Sequence, residues 1–258
     1  MDQCNPVKTP SILKELSVHT EDSVNENYRS LVGTLMYLHK TRPDMAYTLH
    51  QLASHGQKNG KEHMTALKHA FRYVQYTKAL PLTLKGVKSV KDLELQVYTD
   101  ASFNKKNDKL RRSVSGYVIM LNNSAVLWKT AKQATVAKSA YEAELIAAVA
   151  GVLYGEFIRQ LLADMSIHID VIQLFVDNQP LVKRVKKEDV NSESGYLAVQ
   201  LAVLIHRRQN QTLKIHHVKG TDNIADLLTK PLALQSHWKH ASRILNAIGP
   251  AKQFAGVY

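Results

Sequence analysis

The chain has 258 residues, 45% of them hydrophobic, and its 34 lysines and arginines against 22 acids leave a net charge of +12 and a pI near 9.6. That length can bury one sizeable core with a smaller unit beside it, and the positive excess favours a polyanionic partner, of which nucleic acid is the commonest. The single cysteine, Cys4, excludes an internal disulfide and a Cys-rich zinc site, and with no apolar run of the roughly 20 residues a bilayer requires and no signal-peptide core in MDQCNPVKTP, an intracellular chain without a membrane partner is expected.

The first twenty-odd residues, with Pro6 and Pro10, read as an irregular lead-in. From Tyr28 to about Tyr76 the period is helical. YRSLVGTLMYLHK places Leu31, Leu35 and Leu38 three and four residues apart, and TRPDMAYTLHQLASHG opens on a proline and ends near Gly56. KEHMTALKHAFRYVQYTK repeats the spacing at Met64, Leu67, Phe71 and Val74. These helices have no strand partners and need an outside surface to pack on. Pro81 and Gly86 mark a break.

After about Leu93 the pattern changes. ELQVYTD alternates and ends at Asp100, and SGYVIML and AVLWKT are β-rich runs joined by NNS, so residues 94–130 read as an antiparallel meander. KSAYEAELIAAVAGVLYGEFIRQLLADM is a long amphipathic helix. VIQLFVDN is a short strand ending at Asp177, LVKRVKKED and YLAVQLAVLIHRRQ are helical, TLKIHHVKG is a last strand, and DNIADLLTKP is a short helix stopped by Pro231. HWKHASRILNAI adds a final helix. The sum is an α/β sheet with helices on its faces, preceded by a small helical subdomain.

Asp100 and Asp177 each end an apolar strand, where side chains point into the crevice that binds ligands in an α/β sheet. Carboxylates brought together repel unless a cation lies between them. Glu142 and Glu144 are two residues apart on the long helix and face nearly opposite ways, so one of them can join. Asp226 or Asp222 offers a fourth acid. Such a set suits two Mg²⁺ ions, hard cations that take carboxylate and water oxygens. Two of them roughly 4 Å apart can activate water and stabilise the departing oxygen of a phosphodiester. Mn²⁺ is the other candidate ion. The scattered histidines show no metal-ligand spacing.

The strings YTDAS, RRSVSGYVIML, WKTAKQATVAKSAYEAELIAA, FVDNQP and HVKGTDNIADLLTKPL resemble the ribonuclease H domain of copia-type LTR retrotransposon Pol polyproteins. Upstream, YRSLVGTLMYLHKTRPDMAYTLHQLAS and ALKHAFRYVQYTK are similar to the segment between polymerase palm and ribonuclease H in those proteins. The resemblance implies a ribonuclease H-like fold, a mixed five-stranded sheet with helices on both faces, over residues 93–232. It also implies a reverse-transcriptase-derived helical segment over 1–92, and leaves a helical tail at 233–258. It carries the metal-binding and catalytic roles onto Asp100, Glu144, Asp177 and Asp226. Glu142 is then expected to be solvated, and Asp222 to cap the short helix.

Two departures stand out. Many cellular ribonucleases H have histidine where VKGT has Thr221, and His216 and His217 lie within the last strand, one expected to face the core and one solvent. No YxDD polymerase motif occurs, so the chain is not expected to act as a reverse transcriptase on its own. The implied activity is Mg²⁺-dependent cleavage of the RNA strand of RNA–DNA hybrids during reverse transcription, in the cytoplasm (a virus-like particle) or the nucleus. A polymerase palm, or a second copy docking through helices 28–76, is a further possible partner. A hybrid has a wide, shallow minor groove that exposes 2′-hydroxyls. Its phosphates are expected to meet two basic runs: Lys105, Lys106, Lys109, Arg111 and Arg112 after the first strand, and Lys183, Arg184, Lys186 and Lys187 after Asp177, with Asn178 beside them. Trp128 and Tyr117 read as core residues. The alternative functions are a catalytically silent nucleic-acid- or protein-binding remnant and, less favoured, an integrase- or resolvase-like nuclease.

Overall fold

A computed structural model describes residues 4–13, 16, 26–103, 110–189 and 195–247. Its sheet contains β1 (Leu95–Ser102), β2 (Val114–Leu121), β3 (Ser124–Lys132), β4 (Ile172–Val176) and β5 (Leu213–His217) in the order β3-β2-β1-β4-β5. The meander β1–β2–β3 is antiparallel, whereas β4 pairs parallel to β1 and β5 parallel to β4. Parallel pairing needs a crossover. Helix α4 (Ala140–Asp164) supplies it between β3 and β4, and α5 (Gln179–Lys187) and α6 (Gly195–Gln209) supply it between β4 and β5.

Alternation along the strands gives the sheet two buried faces. Leu95, Val97, Tyr117, Ile119 and Leu174 face α4, α5 and α6, while Tyr98, Val118, Met120 and Phe175 face the other way. Gly151 lets α4 lie close on β1, since a Cβ there would come within 2.5 Å of the Thr99 methyl. By length and mean hydropathy α4 is also long and apolar enough to cross a bilayer, which the count of unbroken apolar residues does not register. Here its buried face covers the sheet.

The second face is closed by a 3₁₀ turn at Ile224–Leu228 and by α7 (Leu234–Leu245), whose Ala241, Ile244 and Leu245 are fully buried. The short helix expected over DNIADLLTKP is therefore tighter than α, with the Thr229 N–H returning to the Asp226 carbonyl. Asn223 shapes it. Its Oδ1 accepts from Ala225 N (3.2 Å) and its Nδ2 donates to the Thr99 carbonyl (2.8 Å), so Asn223 caps this turn and Asp222 does not.

Helices α1 (Glu26–Met36), α2 (Ala46–Ser54) and α3 (Lys61–Tyr76) bury Tyr28, Leu35, Leu49, Leu67 and Tyr73 among themselves. The outside surface they need comes from the same chain. Trp238 of α7 packs against this cluster and against the sheet-facing one, and its Nε1 donates to the Lys8 carbonyl (2.9 Å). Underneath lies a buried polar network. Arg42 makes two hydrogen bonds to Asp44 (2.8 and 2.7 Å), and Tyr73 donates its hydroxyl to Asp44 (2.7 Å). The phenol has one proton, so His237 Nε2–H is the donor in its 3.0 Å bond to Tyr73. Leu31, Met36 and Tyr37 of this segment remain exposed. Tyr117 is core, as expected, and Trp128 is partly buried with its Nε1 on the His39 carbonyl (3.0 Å).

Candidate active site

Because β1 and β4 run parallel, their carboxyl ends lie side by side, with Asp100 inside β1 opposite Gly116 and Asp177 one residue beyond β4. Glu144 reaches the same point from the first turns of α4. That helix starts where it does because Ser139 accepts from Glu142 N (3.1 Å) while Glu142 accepts from Lys138 N (2.7 Å). Glu142 is thus buried and holds the helix terminus, where a solvated position was expected. Glu144 Oε1 accepts from Ala101 N (3.2 Å), and Asp100, Glu144 and Asp177 each offer an oxygen within 4.8 Å of the others.

The electrostatics are those of acids packed without enough compensation. Burial, then the charges of Asp100 and Asp177, push Glu144 well above the usual carboxylate range. Burial and then Asp100 raise Asp177. Asp226 lies outside the tight group of three but within its field, and burial followed by Asp100 pushes it up to about 7. Its ion pair with Lys230 (2.9 Å) pulls the other way without prevailing. Burial works against the Lys230 ammonium, yet Asp100, Asp226 and Asp177 together hold it above its ordinary pKa.

The donor set fits a hard divalent cation. Glu144 Oε2 is buried with no hydrogen-bond partner among the described residues, a costly state that a coordinated cation removes. Asp100, Glu144 and Asp177 are the residues that would hold it, with Asp226 adjoining.

Sequence reasoning missed the residues that shape Asp100. Thr229 is fully buried and donates its hydroxyl to Asp100 Oδ2. Gly116 makes room for it, because a Cβ there would stand 2.6 Å from the Thr229 methyl and 2.7 Å from Leu228 Cβ. Lys230 was also missed. Thr229 and Lys230 follow Asp226 in LLTKP, where neither residue type by itself signals a role in the site.

The other expected positions divide. Asn178 Oδ1 caps α5 by accepting from Leu181 N (3.0 Å). Lys183, Lys186 and Lys187 are exposed on α5, whereas Arg184 is half-buried with its guanidinium 4.7 Å from the Tyr141 ring centre. Arg111 is exposed and Arg112 half-buried before β2, and Lys105, Lys106 and Lys109 lie outside the described residues. His216 is half-buried and stacked on Phe175, and exposed His217 donates from Nε2 to the Asp177 carbonyl (3.2 Å). Asp222 is half-buried and paired with Lys239 (2.6 Å).

The strand order, with its antiparallel meander and its parallel β1–β4–β5 half, defines a ribonuclease H-like fold. The chain is 29% identical over 249 residues to the retrovirus-related Pol polyprotein from transposon RE1 of Arabidopsis thaliana, which covers 95% of this chain and 17% of that protein. It is 30% identical over 234 residues to the corresponding protein from transposon RE2 of the same plant, covering 88% of this chain and 16% of that one. Over most of its length the chain is homologous to a segment of the Pol polyproteins of copia-type retrotransposons, and it spans about one sixth of the length of these two relatives. No protein-family model matches it. Among solved structures it is similar to LC11-RNase H1 in complex with RNA/DNA hybrid, with 16% identity, a TM-score of 0.40, and coverage of 53% of this chain and 94% of that one.

Proposed function

We propose that this chain is a ribonuclease H that hydrolyses the RNA strand of RNA–DNA hybrids in the course of retrotransposon reverse transcription. The observation that carries the reading is the convergence of Asp100, Glu144 and Asp177, from two strand ends and a helix, with a buried Glu144 oxygen left unbonded. Two Mg²⁺ ions, or Mn²⁺ in their place, would supply an activated water and charge stabilisation for the leaving oxygen.

The residues of the chain do the rest. Asp100, Glu144 and Asp177 keep their oxygens aimed at one point because each is fixed by its backbone element, and Thr229 holds the Asp100 carboxylate from behind. Lys230 balances Asp226 and carries positive charge to the edge of the site, where it can meet a phosphate. Lys183, Lys186 and Lys187 extend that positive surface along α5.

The test is cleavage of a labelled RNA–DNA hybrid by the purified chain with Mg²⁺, beside Asp177→Asn. The wild type is expected to cut the RNA strand and leave the DNA strand intact, and the variant to lose activity by at least about a thousandfold. Equal cutting by both would show that the carboxylates are not used. Binding without cutting by the wild type would favour the silent hybrid-binding module.

A further inference from the structure

The surface does not close beside the carboxylates. A cavity of about 440 Å³ runs from Asp177 and Asp226 past Lys230 and Thr221 to the exposed side of α7, where Gln235 and Lys239 form its far wall. One end is anionic and the other cationic. A nucleic-acid strand with one phosphodiester at the carboxylates must lead its neighbouring phosphates away along the surface, and this groove is continuous with that point.

Lys239 is built to meet such a phosphate. Its Nζ donates to the Thr221 carbonyl (2.7 Å) and to Asp222 Oδ1 (2.6 Å), which uses two of the three ammonium protons and fixes the head group at the groove's lip. The side chain is still 52% exposed. A cation held in place before binding loses less rotamer freedom on meeting its ligand than a free surface lysine does.

We propose that the groove between the Thr221 turn and α7 is a phosphate subsite for the nucleic-acid strand next to the scissile bond, with Lys239 as its anion-binding residue. The proposal rests on the nuclease reading given above. It makes the C-terminal helix, which lies beyond the segment resembling ribonuclease H, one wall of the substrate cleft. The competing explanation is that Lys239 only ties α7 to the turn at Gly220–Asp222.

Asp222 separates the two. If the lysine acts solely as a tie, Asp222→Ala removes one of its two bonds and Lys239→Ala removes both, and both variants lose binding. If it binds phosphate, the two differ in sign. Binding of a fluorescent RNA–DNA hybrid is measured by anisotropy without divalent ions, so that cleavage plays no part. Lys239→Ala is expected to weaken binding roughly five- to tenfold and to reduce the dependence of log affinity on log salt by about one unit. Lys239→Gln, which keeps a hydrogen-bond donor but loses the charge, is expected to match the alanine variant, and Asp222→Ala to bind as tightly as the wild type or more so. A loss of binding in Asp222→Ala as well as in Lys239→Ala, or wild-type binding by Lys239→Ala, overturns the proposal. The nuclease reading fails separately: it falls if the wild type does not cut the hybrid when Mg²⁺ is added, whereas the subsite stands or falls on binding alone.

Discussion

Thr229 and Asp100, 129 residues apart in sequence, meet by a hydrogen bond from the threonine hydroxyl to Asp100 Oδ2. That bond fixes the central carboxylate of the cluster in one orientation before any cation arrives. Groups that orient metal ligands are commonly worth about 10–100-fold in metal affinity. Thr229→Val removes the hydroxyl with little change of shape, and calorimetric titration with Mn²⁺ is expected to show a loss in that range. Thr229→Ser keeps the donor and should bind nearly as the wild type does. Wild-type affinity in the valine variant would falsify the positioning role.

Gly116 is the space that this arrangement requires. Gly116→Ala drives a methyl against Thr229 and Leu228, neither of which can move without disturbing the 3₁₀ turn that carries Asp226. Overpacking of this kind costs about 1–3 kcal/mol. Urea unfolding should report that loss, with metal affinity falling alongside it. Stability equal to the wild type would mean that the turn yields freely.

Acid is expected to loosen the junction between the helical segment and α7. Burial, the largest influence, lowers His237 to about 4, with the nearby Asp44 charge pulling it up and Arg42 and His240 pushing it down. Between about 4 and 6.5 the unfolded chain therefore binds a proton at this position that the folded chain refuses. Stability from this group is complete above that window and is lost as pH falls through it, by on the order of 3 kcal/mol at most. Asp226 titrates in the opposite sense, since its raised pKa favours the folded state at low pH, but its contribution is common to wild type and variant. The measurement is the change in urea midpoint from pH 7 to pH 5 in the wild type and in His237→Gln. A shallower decline is expected in the variant, and identical declines would exclude His237 as the cause.

On the proposed reading the basic residues address phosphates, so hybrid binding should be strongly salt-dependent and indifferent to sequence. Replacing Lys183, Lys186 and Lys187 together by alanine should flatten the plot of log affinity against log salt by about two to three units. A salt-insensitive affinity, or one that changes with base sequence, would contradict this.

The main acids could be read from the sequence because strand signals are local. VYTD and LFVD each show an apolar run halted by a carboxylate, and two-residue spacing on a helix forces a choice between Glu142 and Glu144. The fate of Glu142 was also written locally, in KSAYE, where the serine caps the Glu142 N–H and the glutamate reaches back to the Lys138 N–H. Thr229 and Gly116 were not legible, since their roles exist only once β2, the 3₁₀ turn and β1 are brought together. The surface that covers α1–α3 was hidden for the same reason. Residue periodicity shows that a helix has an apolar face, but it does not say which distant helix will cover it.

Trp238 belongs to two hydrophobic clusters at once, and the bond between Tyr73 and His237 lies beside it. A melting helical segment would strip cover from α7, and a departing α7 would expose the helical segment. The two are therefore expected to unfold in a single cooperative transition, with one calorimetric peak and coincident loss of helix and sheet signals. Cutting the chain between residues 76 and 95 to isolate the sheet is expected to yield a destabilised fragment rather than an independently stable domain.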